Sequence, residues 1–496
     1  RDAQESRGLG DVYKRQTVNL QNNTPGDLQM FNIPFIIVLV YVALLFALSI
    51  FMSVKARRDG ENFLLYKGKN NMWLTAVTIA GLAIGGASTI GIAENAFTKG
   101  LSAGWYDLAW AIGAVVCSLV LVKKLRASGY TTISEMTRNM YGTAAEKIMI
   151  VSMIIIQCGI IALQYKAGGS ILYSLLPGVF SDVKTATLFS FIIFMLIAFV
   201  GGMGSVSVSN IMNITLIYVG VIVATFVVLF NEGGWDAAVA MAAANPDVPY
   251  MSLWEGMGVS GILGWIVVMC GNTNSVQGAV QIALTSRSDK DAVRGFQIGA
   301  LMMIPVGFLC ALLGVASKAL YPEGAASTAL PVILMSLPAG IAGLTLAGLW
   351  AADMSTACSM LIGLSTTCSR DVFFKTKFGK RFEEKTFLVN KIIIAIVGTV
   401  TYIVSTQFTS ILGAMQKALS LAIGTSFIVL GGLLFPKFAG KRAGFFTILA
   451  SIACIITWSL FPAIGKVFFN QIGFYMLAVC GIVFIAVSLL DKEKVA

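Results

Sequence analysis

Thirteen apolar runs, each long enough to form a helix, follow one another between residues 31 and 490, and this repetition constrains the chain more than any single motif. They cover 31–54, 73–97, 104–122, 148–175, 188–201, 211–230, 258–284, 298–320, 341–366, 391–404, 411–435, 444–461 and 472–490. About 20 apolar residues in a helix cross the roughly 30 Å hydrocarbon layer of a bilayer. Backbone polar groups have no water to bond there, so a helix, which satisfies its own, is the natural spanning element. The expected fold class is therefore an all-α polytopic membrane protein of about 13 transmembrane helices. Composition agrees, with 57% hydrophobic residues, 12% charged residues and a mean hydropathy of +0.83. An ordinary soluble domain is excluded, and the longest polar loops, near 231–256 and 369–385, are too short to fold alone.

The formal charge of +11 would suit nucleic acid if it formed one surface, but it is dispersed over alternate loops. Lys55, Arg57, Arg58, Lys67 and Lys69 form one group, and Lys123, Lys124, Arg126 and Arg138 a second. Arg287, Lys290 and Arg294 follow, then Arg370, Lys375, Lys377, Lys380, Arg381 and Lys385. The intervening loop near 231–255 carries Glu232, Asp236, Asp247 and Glu255 instead. By the positive-inside rule the basic loops are cytoplasmic. A multi-pass protein of the cell membrane is expected, with the N-terminus outside and, after an odd number of crossings, the C-terminus inside. Residues 1–29 read as a polar tail, 30–491 as the transmembrane domain and 492–496 as a short cytoplasmic tail.

All eight cysteines fall within or beside apolar runs and read as free thiols acting as small hydrophobes. No histidine is present, which removes the commonest proton relay and metal ligand. A zinc protease, a haem protein or an intramembrane hydrolase is thereby disfavoured, and no enzymatic activity is expected.

Two runs differ from the rest. Run 73–97 holds Gly81, Gly85, Gly86 and Gly91 with Ser88, Thr89 and Glu94; run 258–284 holds Gly264, Gly271 and Gly278 with Asn272, Thr273, Asn274, Ser275 and Gln277. Such clusters weaken a continuous helix and expose backbone carbonyls, which membrane depth tolerates only in a protein-lined cavity. Glycines also allow close helix packing. The interrupted runs open two sets of five helices, 73–231 and 258–435, the pattern of a 5+5 inverted repeat whose site lies between discontinuous first and sixth core helices.

Several strings in order carry a resemblance over about 31–435. They are Gly86-Ala87-Ser88-Thr89-Ile90-Gly91, Gly100-Leu101-Ser102-Ala103-Gly104-Trp105-Tyr106, Tyr130-Thr131-Thr132-Ile133-Ser134-Glu135-Met136, Ala351-Ala352-Asp353-Met354-Ser355-Thr356-Ala357-Cys358-Ser359 and Ser369-Arg370-Asp371-Val372. Together they resemble the sodium/solute symporter family, with its leucine-transporter-like inverted-repeat fold. The resemblance implies that Na⁺ is the coupling ion and that no other cofactor is needed. Carried over by position, the Ala87, Ile90 and Ala352 carbonyls and the Ser355 and Thr356 hydroxyls would hold it, oxygen ligands that suit a hard cation. Back-bonding to a carbonyl one turn earlier is the structural alternative for both hydroxyls. Some members bind a second sodium through an aspartate after a Gly-Gly turn. Here Gly201-Gly202-Met203 supplies the turn, but Asn210 holds the aspartate position and Cys358 stands where a hydroxyl would help. One coupled sodium is expected.

Three acids lie at apparent membrane depth: Glu94, Asp107 and Asp353. Buried carboxylates are costly unless paired, so each is a functional candidate. Glu94 and Asp107 match positions that contact solute in sugar-carrying relatives, and with Trp110, Asn272, Asn274 and Gln277 they make a candidate solute cavity. Asp107 could instead sit near the outer interface. Asp353, Asn210 and Ser359 are candidates for ion coupling. Asp353 would bring negative charge toward the cation, take up a proton, or pair with a base such as Lys166.

The expected activity is sodium-coupled symport that imports a small polar solute by alternating access. With no Lys or Arg expected on the inner faces, a neutral or zwitterionic solute is favoured. A membrane solute sensor or a proton-coupled carrier of the same fold is the alternative, and the absence of any appended module after Lys492-Glu493-Lys494-Val495-Ala496 disfavours the sensor. Besides solute and lipid bilayer, neither nucleic acid nor an obligate protein partner is expected.

Overall fold

The computed structural model describes residues 32–58, 70–130, 132–176, 178–200, 206–461 and 469–495. Among these residues every regular element is helical, and strand pairing is limited to two isolated bridges. Twenty α-helices follow in chain order: α1 (Ile33–Arg58), α2 (Met72–Ala83), α3 (Ile92–Lys99), α4 (Trp105–Val120), α5 (Val122–Ala127), α6 (Ile133–Tyr141), α7 (Thr143–Leu175), α8 (Val183–Val200), α9 (Val206–Phe226) and α10 (Gly234–Ala244). The remainder are α11 (Gly258–Ser275), α12 (Gln277–Thr285), α13 (Asp289–Leu320), α14 (Ala329–Met335), α15 (Ala339–Thr367), α16 (Thr386–Ser405), α17 (Ile411–Ser420), α18 (Ala422–Leu434), α19 (Lys441–Leu460) and α20 (Ile472–Leu490).

Helix ends are set by local chemistry. Asn71, Thr132, Ser288 and Ser410 each accept from a backbone N–H in the first turn of α2, α6, α13 and α17, satisfying a donor that has no intrahelical partner. Gly142, at φ 86°, turns α6 into α7, a conformation that costs a residue with a Cβ.

Nine described helical stretches are long and apolar enough to cross a bilayer, or ten when the bent pair α11–α12 counts as one. The thirteen expected runs exceed this number because Ile33–Ala47, Met72–Ala83 and Val183–Phe199 are shorter apolar helices. Leu119, Val219, Phe226, Leu301, Ile482 and Leu489 are all more than half exposed. Large apolar side chains left outward on a multi-helix body face lipid rather than water, so the protein is a multi-pass membrane protein.

Central helices are the most enclosed. α15 lies against α1, α7 and α9, while α4 packs on α11 and α13. The basic loops meet at one end. Arg126 donates to Asp289 at 2.6 Å and to the carbonyls of Ala283 and Ser286, Arg287 N–H bonds Asn70 C=O, and Arg138 and Lys375 both approach Glu146. The acidic loop lies elsewhere, where Leu101 N–H donates to Tyr250 C=O and Trp105 Nε1 to Leu253 C=O. The N-terminal tail expected over 1–29 lies outside the described residues, whereas the segment after α20 is held in place by Val495 N–H on Ala439 C=O.

Candidate ion and solute site

The first core helix breaks where the glycines accumulate. α2 ends at Ala83, Ile84 is extended at φ −82° and ψ 108°, and a wide π-turn over Ala87–Gly91 leads into α3. Side chains bond the carbonyls around the break: Ser88 Oγ donates to Ala83 C=O at 2.7 Å and Thr89 Oγ1 to Gly85 C=O at 3.0 Å. The sixth core helix breaks at one residue. Val276 is extended at φ −80° and ψ 130°, and α12 leaves α11 at 54°. Here Ser275 Oγ lies 2.8 Å from Gly271 C=O and 3.0 Å from Ala422 C=O.

The two breaks face one cavity of about 40 Å³. Gly85 and Ala87 reach it from the first break, Asn272 and Val276 from the second. Trp110 of α4, Gln164 of α7, Thr356 and Met360 of α15 and Met415 of α17 complete much of its wall. Such a volume admits a water or two, whereas small-molecule sites run to about 300–1,000 Å³.

The expected sodium ligands lie on the two elements that meet here. Ala87 and Thr356 are on the cavity wall, with Ile90 and Ala352 buried beside them. Ser355 Oγ donates to Ala352 C=O at 3.0 Å, the back-bonded arrangement, which leaves lone pairs on the hydroxyl oxygen.

Two solute candidates, Trp110 and Asn272, line the cavity. Trp110 is oriented by a bond from Nε1 to Tyr106 Oη at 3.3 Å, and Asn272 Oδ1 is buried without a hydrogen-bond partner. Asn274 is buried one residue beyond Thr273, its Oδ1 also unpartnered, and is absent from the cavity wall.

Three other candidates point elsewhere. Gln277 Oε1 accepts from Ile133 N–H at 2.9 Å and so ties α12 to the start of α6. Glu94 Oε2 accepts from Ile411 N–H at 2.8 Å, capping α17, and its Oε1 lies 3.8 Å from Lys166 Nζ. Asp107 is fully buried against Gly307 of α13 and close to Ser88. Neither acid is part of the cavity wall.

Lys166 corrects two expectations. It pairs with Glu94 rather than Asp353 and also donates to Phe408 C=O at 3.0 Å. It also puts a base on an inner face, at 9% exposure. Together with Gln164, it was detectable as a polar residue inside the run at 148–175, where hydrocarbon tolerates few. Asp353 is 1% exposed. Asn210, Ser359 and the turn at 201–203 fall on side chains or backbone outside the described residues.

Residues 63–443 match the model of the sodium:solute symporter family. The chain belongs to the sodium:solute symporter family. It is 22% identical over 405 residues to sodium/glucose cotransporter 4 of Danio rerio, a match covering 71% of this chain and 59% of that relative. It is 21% identical to the sodium/proline symporter of Staphylococcus aureus strain JH9 over 359 residues, 68% of each. The chain thus spans less than two thirds of the length of the cotransporter it matches. Among solved structures, a Na⁺-coupled sialic acid symporter superposes with a TM-score of 0.70 at 16% identity, covering 94% of this chain and 99% of that one. That likeness is one of fold.

Proposed function

We propose that this symporter-family chain couples sodium entry to import of a small polar solute by alternating access. The observation that carries the reading is the convergence of both helix breaks on one cavity that also holds Ala87 and Thr356. Backbone oxygens at a break and hydroxyls on the facing helix make a neutral, oxygen-rich setting from which a hard monovalent cation can also leave. The Ala87, Ile90 and Ala352 carbonyls and the Ser355 and Thr356 hydroxyls would hold the ion, and Trp110 and Asn272 would meet the solute. The cavity is too small for a sugar or an amino acid, so solute entry requires it to widen.

Sodium/glucose and sodium/proline relatives support a small solute. A neutral or zwitterionic one fits best, because the wall offers an amide, an aromatic ring and apolar side chains, while Lys166 is already neutralised by Glu94. The gathered basic loops would face the cytoplasm, with the N-terminus outside. The 73–231 and 258–435 segments would be the inverted repeats. Proteoliposomes loaded without sodium test the proposal: an inward sodium gradient should drive accumulation of a labelled sugar or amino acid from a solute panel, and a potassium gradient should not. Accumulation that ignores sodium would defeat it.

A further inference from the structure

α15 also presents a buried carboxylate that has no cationic partner among the described residues. Asp353 is 1% exposed, and neither of its oxygens has a hydrogen-bond partner of ordinary geometry. The Gly86 amide is the backbone group that faces it. Across from it, Gln164 of α7 is 5% exposed and its Oε1 is also unpartnered. Gly86 brings the two together: a Cβ on that glycine would lie 2.8 Å from Asp353 Oδ1 and 2.9 Å from Gln164 Oε1. The two oxygens therefore stand within about 5.7 Å of one another, the sum of those distances.

Two acceptors facing each other in a dry core need a proton or a cation between them. Lys166 lies two residues beyond Gln164 but is taken by Glu94 and Phe408 C=O, and among the described residues no ion pair includes Asp353. Turning the Gln164 amide over would offer Asp353 a neutral donor yet leave its charge uncompensated, and an isolated carboxylate at this depth is costly. One carboxylate and a neutral amide oxygen match a hard, singly charged cation. This position is distinct from the expected ligand set. Ala352, Ser355 and Thr356 share a face at i, i+3 and i+4, whereas Asp353 is turned about 100° from Ala352 and about 60° from Thr356 on the helix, toward Gln164 of α7.

We propose that Asp353 and Gln164, across the bare backbone of Gly86, form a second sodium-binding site, so that the chain carries two ions rather than one. The proposal rests on the sodium-symport reading. It is tested by equilibrium binding of ²²Na⁺ to the purified full chain in lipid nanodiscs. The parent should bind two ions per protein, Asp353→Asn and Thr356→Ala one each, and the double variant none. Gln164→Ala should weaken one of the two ions by roughly 10–100-fold, the usual cost of losing a supporting group at a metal. Gln164→Glu, which adds a second carboxylate, should tighten that ion and keeps the test open if Asp353→Asn fails to fold. One ion per parent protein, lost in Thr356→Ala and kept at full affinity in Asp353→Asn, would overturn the proposal and leave symport standing. Absence of any sodium binding by the folded parent would overturn symport itself.

Discussion

Acidic side chains crowd the first helix break and are missing from the second. Glu94 follows the π-turn, Asp107 approaches Ser88 and Asp353 faces Gly86, whereas residues 264–284 contain no Asp, Glu, Lys or Arg. Around Val276 the polar groups are amides and hydroxyls, and the hydroxyls of Thr273 and Ser275 bond back to carbonyls one turn earlier. The difference separates two tasks. A break lined by carboxyl groups suits a cation, and a break of amides and hydroxyls suits a solute that must be recognised by shape and hydrogen bonds. The three acids also differ among themselves, since among the described residues only Glu94 has a base.

The largest effect expected from breaking this arrangement is at that pair. Lys166→Met leaves Glu94 as a buried charge with one backbone donor, and removing one partner of a buried pair costs about 3–5 kcal/mol. Expression and the thermal midpoint in detergent should both fall steeply, and Lys166→Met combined with Glu94→Gln should recover most of the loss. Equal damage in single and double variants would show that Lys166 matters through its bond to Phe408 C=O instead.

Next in size is the loss of sodium affinity in Thr356→Ala, on the order of 10-fold or more for a lost ligand oxygen, about 1.4 kcal/mol. Ser355→Ala should cost less, because the Ser355 hydroxyl is already bonded to Ala352 C=O and does not line the cavity. Sodium titration of both variants in parallel orders the two hydroxyls. The reverse ranking would place the ion on the Ser355 side of α15, away from the cavity wall.

Hydropathy revealed the helical class, and paired glycine clusters revealed both interruptions, because backbone that must break in hydrocarbon needs residues that tolerate it. The meeting of α15 with the first break was also legible. Partner choice was not. In the sequence Glu94 reads as a solute contact and Asp353 as an ion-coupling residue or a partner of Lys166, and only the packing of α7 gives Lys166 to Glu94 and Gln164 to Asp353. Gln277 looked like Asn272, five residues earlier across the break, yet the 54° bend aims it at α6. Side-chain direction after a bend is a tertiary property that spacing along the chain does not encode.

That divergence within the second break yields a smaller effect. Asn272→Ala removes a cavity-lining amide with an unpartnered oxygen. If that oxygen meets solute, the apparent solute affinity should drop by the worth of one hydrogen bond, roughly 0.5–1.5 kcal/mol, with sodium affinity unchanged. Solute and sodium saturation curves on the same proteoliposomes would show it, and a parallel fall in sodium affinity would mean that the two breaks do not divide their tasks.

The smallest expected effect is at Gln277. Its Oε1 satisfies Ile133 N–H in the first turn of α6, a donor that has no partner within the helix. Gln277→Ala should therefore cost about 0.5–1.5 kcal/mol of stability while leaving solute affinity where it was, the opposite pattern to Asn272→Ala. The bond joins α12 to the segment after the second core helix, so its loss should also raise amide hydrogen exchange at the start of α6. If Gln277→Ala instead weakened solute and spared the thermal midpoint, the side chain would have to leave Ile133 and turn into the cavity during the cycle. The neutral break would then be the element that rearranges when solute arrives.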